Sequence, residues 1–356
     1  MTAAAGKRVI ITGATGNVGT GVVRALAEDA GIGSVLGLAR RVPQWLPGKT
    51  TWTGVDLSDE HTDLTGLFRG ADAVIHLAWL FQPTHAPHVT WRTNVLGSLR
   101  VFDAVAAAGV PVLVHASSVG AYAPGPKDHF VDESWPTHGW PGAAYTREKS
   151  YLERVLDAFE LRHSRIRVVR MRPGFIFQRE SADEQRRLFA GPLLPRRLVR
   201  PELLPLVPEV PGLRFQALHT TDVADAYRLA LSRDVRGAFN LAADPPIDAP
   251  ALAGMWNARV QRAPLRVLRS ALAVAWRLHA VPASPDLFDA VLRLPLMDCT
   301  RAGRELGWQP RFTALQAVGE FVEGLREGNG GPTPPLAART PGGRARDVGT
   351  GVGARP

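Results

Sequence analysis

The stretch Val9-Ile10-Ile11-Thr12-Gly13-Ala14-Thr15-Gly16-Asn17-Val18-Gly19 decides the fold. Its first four residues are all β-branched, a run that suits a strand buried on both faces. Three glycines follow at a spacing of three, and the apolar period then becomes that of a helix over 17–29. Strand, glycine-rich turn and helix in this order open a βαβ unit that binds phosphate. Gly13 permits the tight turn, Gly16 lets the backbone approach a pyrophosphate, and Gly19 lets helix and strand pack closely. Thr15, Asn17 and Val18 complete the loop, where the helix N-terminus would meet phosphate charge.

Working outward, short apolar runs at 8–12, 34–39, 50–54, 73–77 and 112–116 read as buried strands, with helical patterns between them, notably at 90–108. A helix over 144–162 precedes a further strand at 165–170. The alternation predicts an α/β fold, a Rossmann-type doubly wound parallel sheet. Residues 1–177 would form the dinucleotide-binding domain and 178–328 a smaller, mostly helical substrate lobe. Within that lobe, 215–245 returns to the sheet through a helix at 221–232 and a strand at 238–241. Residues 178–214, rich in Pro, Arg and Leu, read as an insertion over the sheet's C-terminal edge, where ligands bind in such folds. The Gly/Pro/Arg-rich tail, 329–356, has no apolar pattern and is expected to be disordered.

The cofactor follows from the end of the second strand, Gly37-Leu38-Ala39-Arg40-Arg41. An acid at this place would bond the ribose of NAD and repel a 2′-phosphate; two guanidiniums would bind that phosphate. The reading therefore favours NADP, with NAD as the alternative.

Composition bounds the rest. The chain has 356 residues, 45% hydrophobic and 21% charged, ordinary for a globular protein. Its formal charge is +9, carried almost wholly by scattered arginines, since only Lys7, Lys49, Lys127 and Lys149 are lysines. Without a basic block, nucleic-acid binding is not expected. Cys299 is the sole cysteine, so neither an intrachain disulfide nor a cysteine zinc site can form. His76, His115 and His219 lack ligand spacing, and no metal is expected. No signal peptide, and no apolar run of about 20 residues, is seen, so the expected setting is cytoplasmic with no membrane span. The apolar segment 265–281 carries Arg266, Arg269 and Arg277 and reads as an amphipathic helix packed on the protein.

Tyr145 and Lys149 stand four apart, on one face of the predicted helix. A phenol of pKa near 10 is a poor base, and a nearby ammonium would lower that value and ready it for proton transfer. Upstream, the strand 112–116 runs into Ser117 and Ser118, whose hydroxyls could hold a substrate oxygen at the cofactor crevice. Asp222, at the start of helix 221–232, reads as a first-turn acid rather than a catalyst.

These residues together resemble the extended short-chain dehydrogenase/reductase family, also called the NAD-dependent epimerase/dehydratase family. The carriers are TGATGNVG at 12–19, VDL at 55–57, HLA at 76–78, TNVLGSLRVFDA at 93–104, SSVGAY at 117–122, YTREK at 145–149, RPG at 172–174, HTTDVADA at 219–226 and RELGWQP at 304–310. The resemblance implies that Ser118, Tyr145 and Lys149 are the catalytic group. It places Asp56 and Leu57 by the adenine and Leu77 and Ala78 beside the nicotinamide. Asn94 and Arg172 join the cofactor set with Tyr145 and Lys149. It also implies a homodimer built on a bundle containing the Tyr145 helix.

Departures narrow the activity. Dehydratases carry Asp-Glu after the catalytic Ser or Thr, where this chain has Val119-Gly120. Many sugar-nucleotide enzymes carry Arg four residues before the histidine of the HTTDVADA-like motif, where this chain has Phe215. The expected function is an NADP-preferring oxidoreductase acting on a small carbonyl or alcohol. The alternatives are a sugar-nucleotide epimerase that retains its cofactor and a non-catalytic dinucleotide sensor. Trp79, Trp135 and Trp140 are candidates for an aromatic wall against the substrate.

Overall fold

The computed structural model describes residues 6–191 and 206–338. Part of the 178–214 insertion and the tail beyond 338 therefore lie outside the described residues. Seven strands form one parallel sheet: β1 (Lys7–Thr12), β2 (Ile32–Ala39), β3 (Thr50–Gly54), β4 (Ala73–His76), β5 (Val112–Ala116), β6 (Arg167–Pro173) and β7 (Gly237–Leu241). Their order across the sheet is β7-β6-β5-β4-β1-β2-β3. The order reverses between β1 and β4, which opens a crevice at the strands' C-terminal ends.

Alternate side chains of each strand enter opposite cores. Val9 and Ile11 pack with Val22, Val23 and Leu26 of helix α1 (Asn17–Glu28) and with Tyr227 of α4 (Thr220–Ser232). Ile10 packs on the other face, with Phe102 and Val105 of α2 (Gly97–Ala107) and Leu152, Leu156 and Phe159 of α3 (Ala144–Arg162). Burial on both faces explains why the strands are continuous apolar runs rather than alternating ones. The lobe is less purely helical than the sequence predicts. Of residues 215–245 only Gly237–Leu241 joins the seven-stranded sheet. Arg214–His219 and Ala243–Asp248 instead form a separate three-stranded sheet with Phe175–Phe177 from the end of the dinucleotide-binding part, and Leu206–Glu209 pairs with Arg259–Arg262. The amphipathic helix spans Leu265–Arg277 but has no buried residue, and Val267 and Val274 remain 63% and 55% exposed. No described helix is long and apolar enough to cross a membrane.

Candidate active site

The glycine turn is built for close approach. Gly13 has φ +68°, and a Cβ there would lie 2.6 Å from Ala78 Cα, so β1 and the 77–80 segment touch backbone to backbone. A Cβ on Gly19 would lie 2.4 Å from the Gly13 carbonyl oxygen. Gly16 differs: a Cβ there meets nothing nearer than 3.6 Å, because Gly16 faces an open cleft. Gly16 is also the N-cap of α1, and its side of the helix end carries no side-chain cap. The first-turn N–H groups thus point toward the cleft without a capping oxygen, a cradle suited to an anion.

The cleft is lined by Gly13, Thr15, Gly16, Arg40, Arg41, Leu57, Leu77 and Ala78, all singled out in the sequence. It is also lined by Thr12, Leu38, Trp79, Thr93 and Pro335, which sequence reasoning did not select as cofactor residues. Other candidates stand behind it. Asn17 spends its side chain on Ile176, Gln178 and Thr220, leaving only its backbone for a ligand. Val18 packs into the core, and Asp56 accepts two hydrogen bonds from Ser58. Burial raises the Asp56 carboxyl, but the Ser58 bonds and then Arg40 and Arg92 hold it below its ordinary value overall. Asn94 is fully buried. Its amide bonds both backbone groups of Leu80 and donates to Glu148 at 2.7 Å, fastening the 77–80 segment to α3. Glu148, overlooked in the sequence, sits one residue before Lys149 in a polar pair whose signal is not local.

Arg172 does not reach the cleft. Its guanidinium is committed to Glu153, the Tyr122 hydroxyl and the Glu133 carbonyl. Glu153 also receives Arg170 and the Ser117 hydroxyl at 2.5 Å. Burial raises the Glu153 carboxyl, yet Arg172 and Arg170 overcome this and bring it to about 2. This cluster separates the two serines that the strand pattern leaves equivalent. Ser117 is tied to Glu153, whereas Ser118 faces Tyr145 and accepts the Gly120 N–H at 3.0 Å.

Tyr145 and Lys149 lie one turn apart on α3, as the spacing predicts. A Cβ on Gly120 would lie 2.7 Å from Tyr145 Cε1, so glycine at 120 is what admits the ring. Electrostatically the pair departs from the sequence expectation. Burial pushes the Tyr145 phenol up to about 12, and the Ser118 hydrogen bond offsets this only partly. Burial pushes Lys149 down to about 7 against the pull of Glu148 and Glu153. The reason is direction: Lys149 Nζ donates to the Ala116 carbonyl at 2.6 Å and lies 3.4 Å from the Trp79 ring centroid, while the Tyr145 ring is 6.0 Å away.

Aromatic rings gather beside Tyr145, and of Trp79, Trp135 and Trp140 only Trp79 is among them. Trp79 meets Tyr145 edge-on at 5.7 Å, Phe81 stacks on Tyr145 at 5.1 Å, and Phe189 meets Phe81 at 5.6 Å. Phe81 and Phe189 are both partly exposed. Trp135 instead joins the Tyr122 cluster, and Trp140 lies under Arg293. Phe215, where many sugar-nucleotide enzymes carry arginine, packs on Phe175 at 5.1 Å, and Arg214 bonds the Lys127 carbonyl. His76 bridges Thr12 and Ser98 and is held neutral by burial and Lys149, its value lowered to about 3. His219 caps α4, and Asp222 accepts from the Phe312 N–H and Arg311. Among the described residues no His, Cys, Asp and Glu cluster could hold a metal. Cys299, mostly buried, is pushed up to about 12 by burial.

Known proteins resemble this chain. The family model for the NAD dependent epimerase/dehydratase family matches residues 9–242. L-arabinose 1-dehydrogenase (NAD(P)(+)) of Haloferax volcanii is 36% identical over 111 residues, 31% of this chain and 41% of that protein. A sterol-4-alpha-carboxylate 3-dehydrogenase of Saccharomyces cerevisiae is 33% identical over 109 residues, 30% of each. This chain thus spans less than half the length of both curated relatives. Two solved structures share the fold over 90% of this chain. MoeE5 in complex with UDP-glucuronic acid and NAD has a TM-score of 0.66 at 22% identity, covering 99% of that chain. UDP-glucose-4-epimerase from Stenotrophomonas maltophila, with bound NAD and formylated UDP-arabinopyranose, has 0.68 at 20%, covering 98%.

Proposed function

Because the chain belongs to the NAD-dependent epimerase/dehydratase family, we propose that it is an oxidoreductase that reduces a carbonyl, or oxidises the matching alcohol, with Tyr145 as proton donor and acceptor. The observation that carries this reading is the meeting of Ser118, Tyr145 and Lys149 beside a glycine-turn cleft. The cleft fits a dinucleotide by its own geometry: open space over Gly16, an uncapped helix N-terminus, and Arg40 and Arg41 at the rim. When bound, the nicotinamide group supplies or accepts the hydride. Gly16 and the first turn of α1 would hold the pyrophosphate, and Arg40 and Arg41 favour a 2′-phosphate, hence NADP over NAD.

The protein's own part is proton management. With its phenol raised to about 12, Tyr145 is protonated at neutral pH and poised as the acid that a forming alkoxide needs. Ser118 Oγ would hold the substrate oxygen against Tyr145 Oη. Lys149, charged below about 7 and one turn away on the same helix face, would stabilise the phenolate left after proton transfer by turning from the Ala116 carbonyl. The rings of Phe81, Phe189 and Trp79 offer an apolar seat beside Tyr145, and Phe215 withholds the arginine expected for a diphosphate. Both features support a small apolar carbonyl or alcohol over a sugar nucleotide. The test is titration with NADPH and NADH, then a panel of apolar ketones and UDP-sugars. Net NADPH consumption with ketones is expected; UDP-sugar interconversion without net consumption would replace this reading with an epimerase.

A further inference from the structure

Residues 329–338, read from the sequence as the start of a disordered tail, fold back onto the glycine turn. It leaves helix α5 (Ala314–Glu327), which Arg179 pins through Glu323 and Glu327. Thr333 is 1% exposed and donates its hydroxyl to the Thr15 carbonyl at 2.7 Å, inside the turn itself. Leu336 is fully buried. Leu336 N–H donates to the Thr333 carbonyl and Gly331 N–H to the Leu336 carbonyl, folding the segment into a compact turn. Arg187 donates to the Pro335 and Ala337 carbonyls, and Pro335 lines the cleft with Thr15, Gly16, Arg40 and Arg41.

We infer that residues 331–338 are a further part of the dinucleotide site, a wall supplied by the C-terminus that sets how fast the cofactor leaves. This rests on the reading of the cleft as a dinucleotide site. The wall stands beside the Gly16 opening, and the turn it braces is the one a pyrophosphate would touch. A ligand seated there would lie against Pro335, and opening the Thr333 and Leu336 contacts would free that side of the cleft for its departure. Lids of this kind commonly govern release.

The test is stopped-flow displacement of NADPH and of NADH, read by protein and nicotinamide fluorescence. Three variants are compared with the full chain: Thr333→Val, Leu336→Asp and a chain ending at Asn329. Thermal unfolding of each, measured in parallel, shows which are folded. Leu336→Asp and the shortened chain should release cofactor about tenfold faster or more, since either removes the burial of a whole leucine side chain. Thr333→Val should show a smaller acceleration of about two- to tenfold, the worth of one hydrogen bond, and it decides the matter if the others unfold. Unchanged release in folded variants would overturn the inference, as would tighter binding on shortening, which would mean that the tail competes with the ligand. Failure of the full chain to bind either dinucleotide would overturn the site's reading along with it, whereas binding with unaltered release removes the wall alone.

Discussion

Replacing Gly16 by alanine separates what the fold needs from what the ligand needs. Gly16 has φ −78°, which any residue adopts, and its Cβ would meet only the Gly13 carbonyl oxygen at 3.6 Å, an ordinary contact. The fold should lose no more than the N-cap preference for glycine over alanine, about 1 kcal/mol. The same methyl group stands in the opening through which a pyrophosphate must approach the helix end. Holding the phosphate away would forfeit one or two charge-assisted hydrogen bonds, each worth about 1.5–3 kcal/mol. The dissociation constant for NADPH should therefore rise about 10- to 100-fold or more. Gly19→Ala is the counterpart. Its Cβ would lie 2.4 Å from the Gly13 carbonyl oxygen and 2.6 Å from the Ala14 carbonyl carbon, both backbone atoms that cannot swing aside. That variant should lose about 1–3 kcal/mol of stability through overpacking. Fluorescence titration with NADPH, run beside urea unfolding, reads both quantities. Gly16→Ala binding as tightly as the unsubstituted chain would refute the placement of the pyrophosphate.

Four further outcomes can be checked. Gly120→Ala should displace the Tyr145 ring, 2.7 Å from the new methyl, and lower turnover about 10- to 100-fold while cofactor affinity holds; parallel kinetics and titration decide it. Carbonyl reduction should fall as pH rises through about 7, where Lys149 loses its charge, and Lys149→Met should flatten that pH–rate profile. Glu153 has a folded value of about 2 against an ordinary 4.5, so its stabilisation is full above the higher value and lost as pH falls toward the lower. Glu153→Gln should cost about 3–5 kcal/mol at neutral pH by leaving Arg170 and Arg172 without their buried carboxylate, and its urea midpoint should vary less between those two pH values. Arg40→Ala with Arg41→Ala should weaken NADPH about 100-fold or more while leaving NADH nearly unchanged, each of the two lost charge-assisted contacts being worth about 1.5–3 kcal/mol; equal effects on both would remove the argument for a 2′-phosphate.

What the sequence discloses here depends on how local each demand is. The turn at Gly13, the packing at Gly19 and the one-turn spacing of Tyr145 and Lys149 are local, and the residues sit where the pattern puts them. The helix expected over 144–162 occupies Ala144–Arg162. What stayed hidden joins distant segments. Glu153 reads as a surface acid on a helix until β6 brings Arg170 and Arg172 beneath it. Arg172 looks available to a ligand until those same bonds are seen. Phe81 and Phe189 are 108 positions apart yet share a ring contact. The tail shows why composition can mislead: Thr333 needs one free carbonyl and Leu336 one cavity, too little to register as an apolar pattern. The tyrosine's raised value was illegible for a related reason, since spacing places the ammonium nearby but cannot say that it turns to Ala116.

The most direct test of the proton-transfer assignment is a single-turnover measurement of hydride transfer in Tyr145→Phe with NADPH and a ketone that the unsubstituted enzyme reduces. Cofactor affinity within about twofold of the unsubstituted enzyme and a rate lower by about 100-fold or more are expected, the range for a lost general acid. An undiminished rate in that variant would contradict the account.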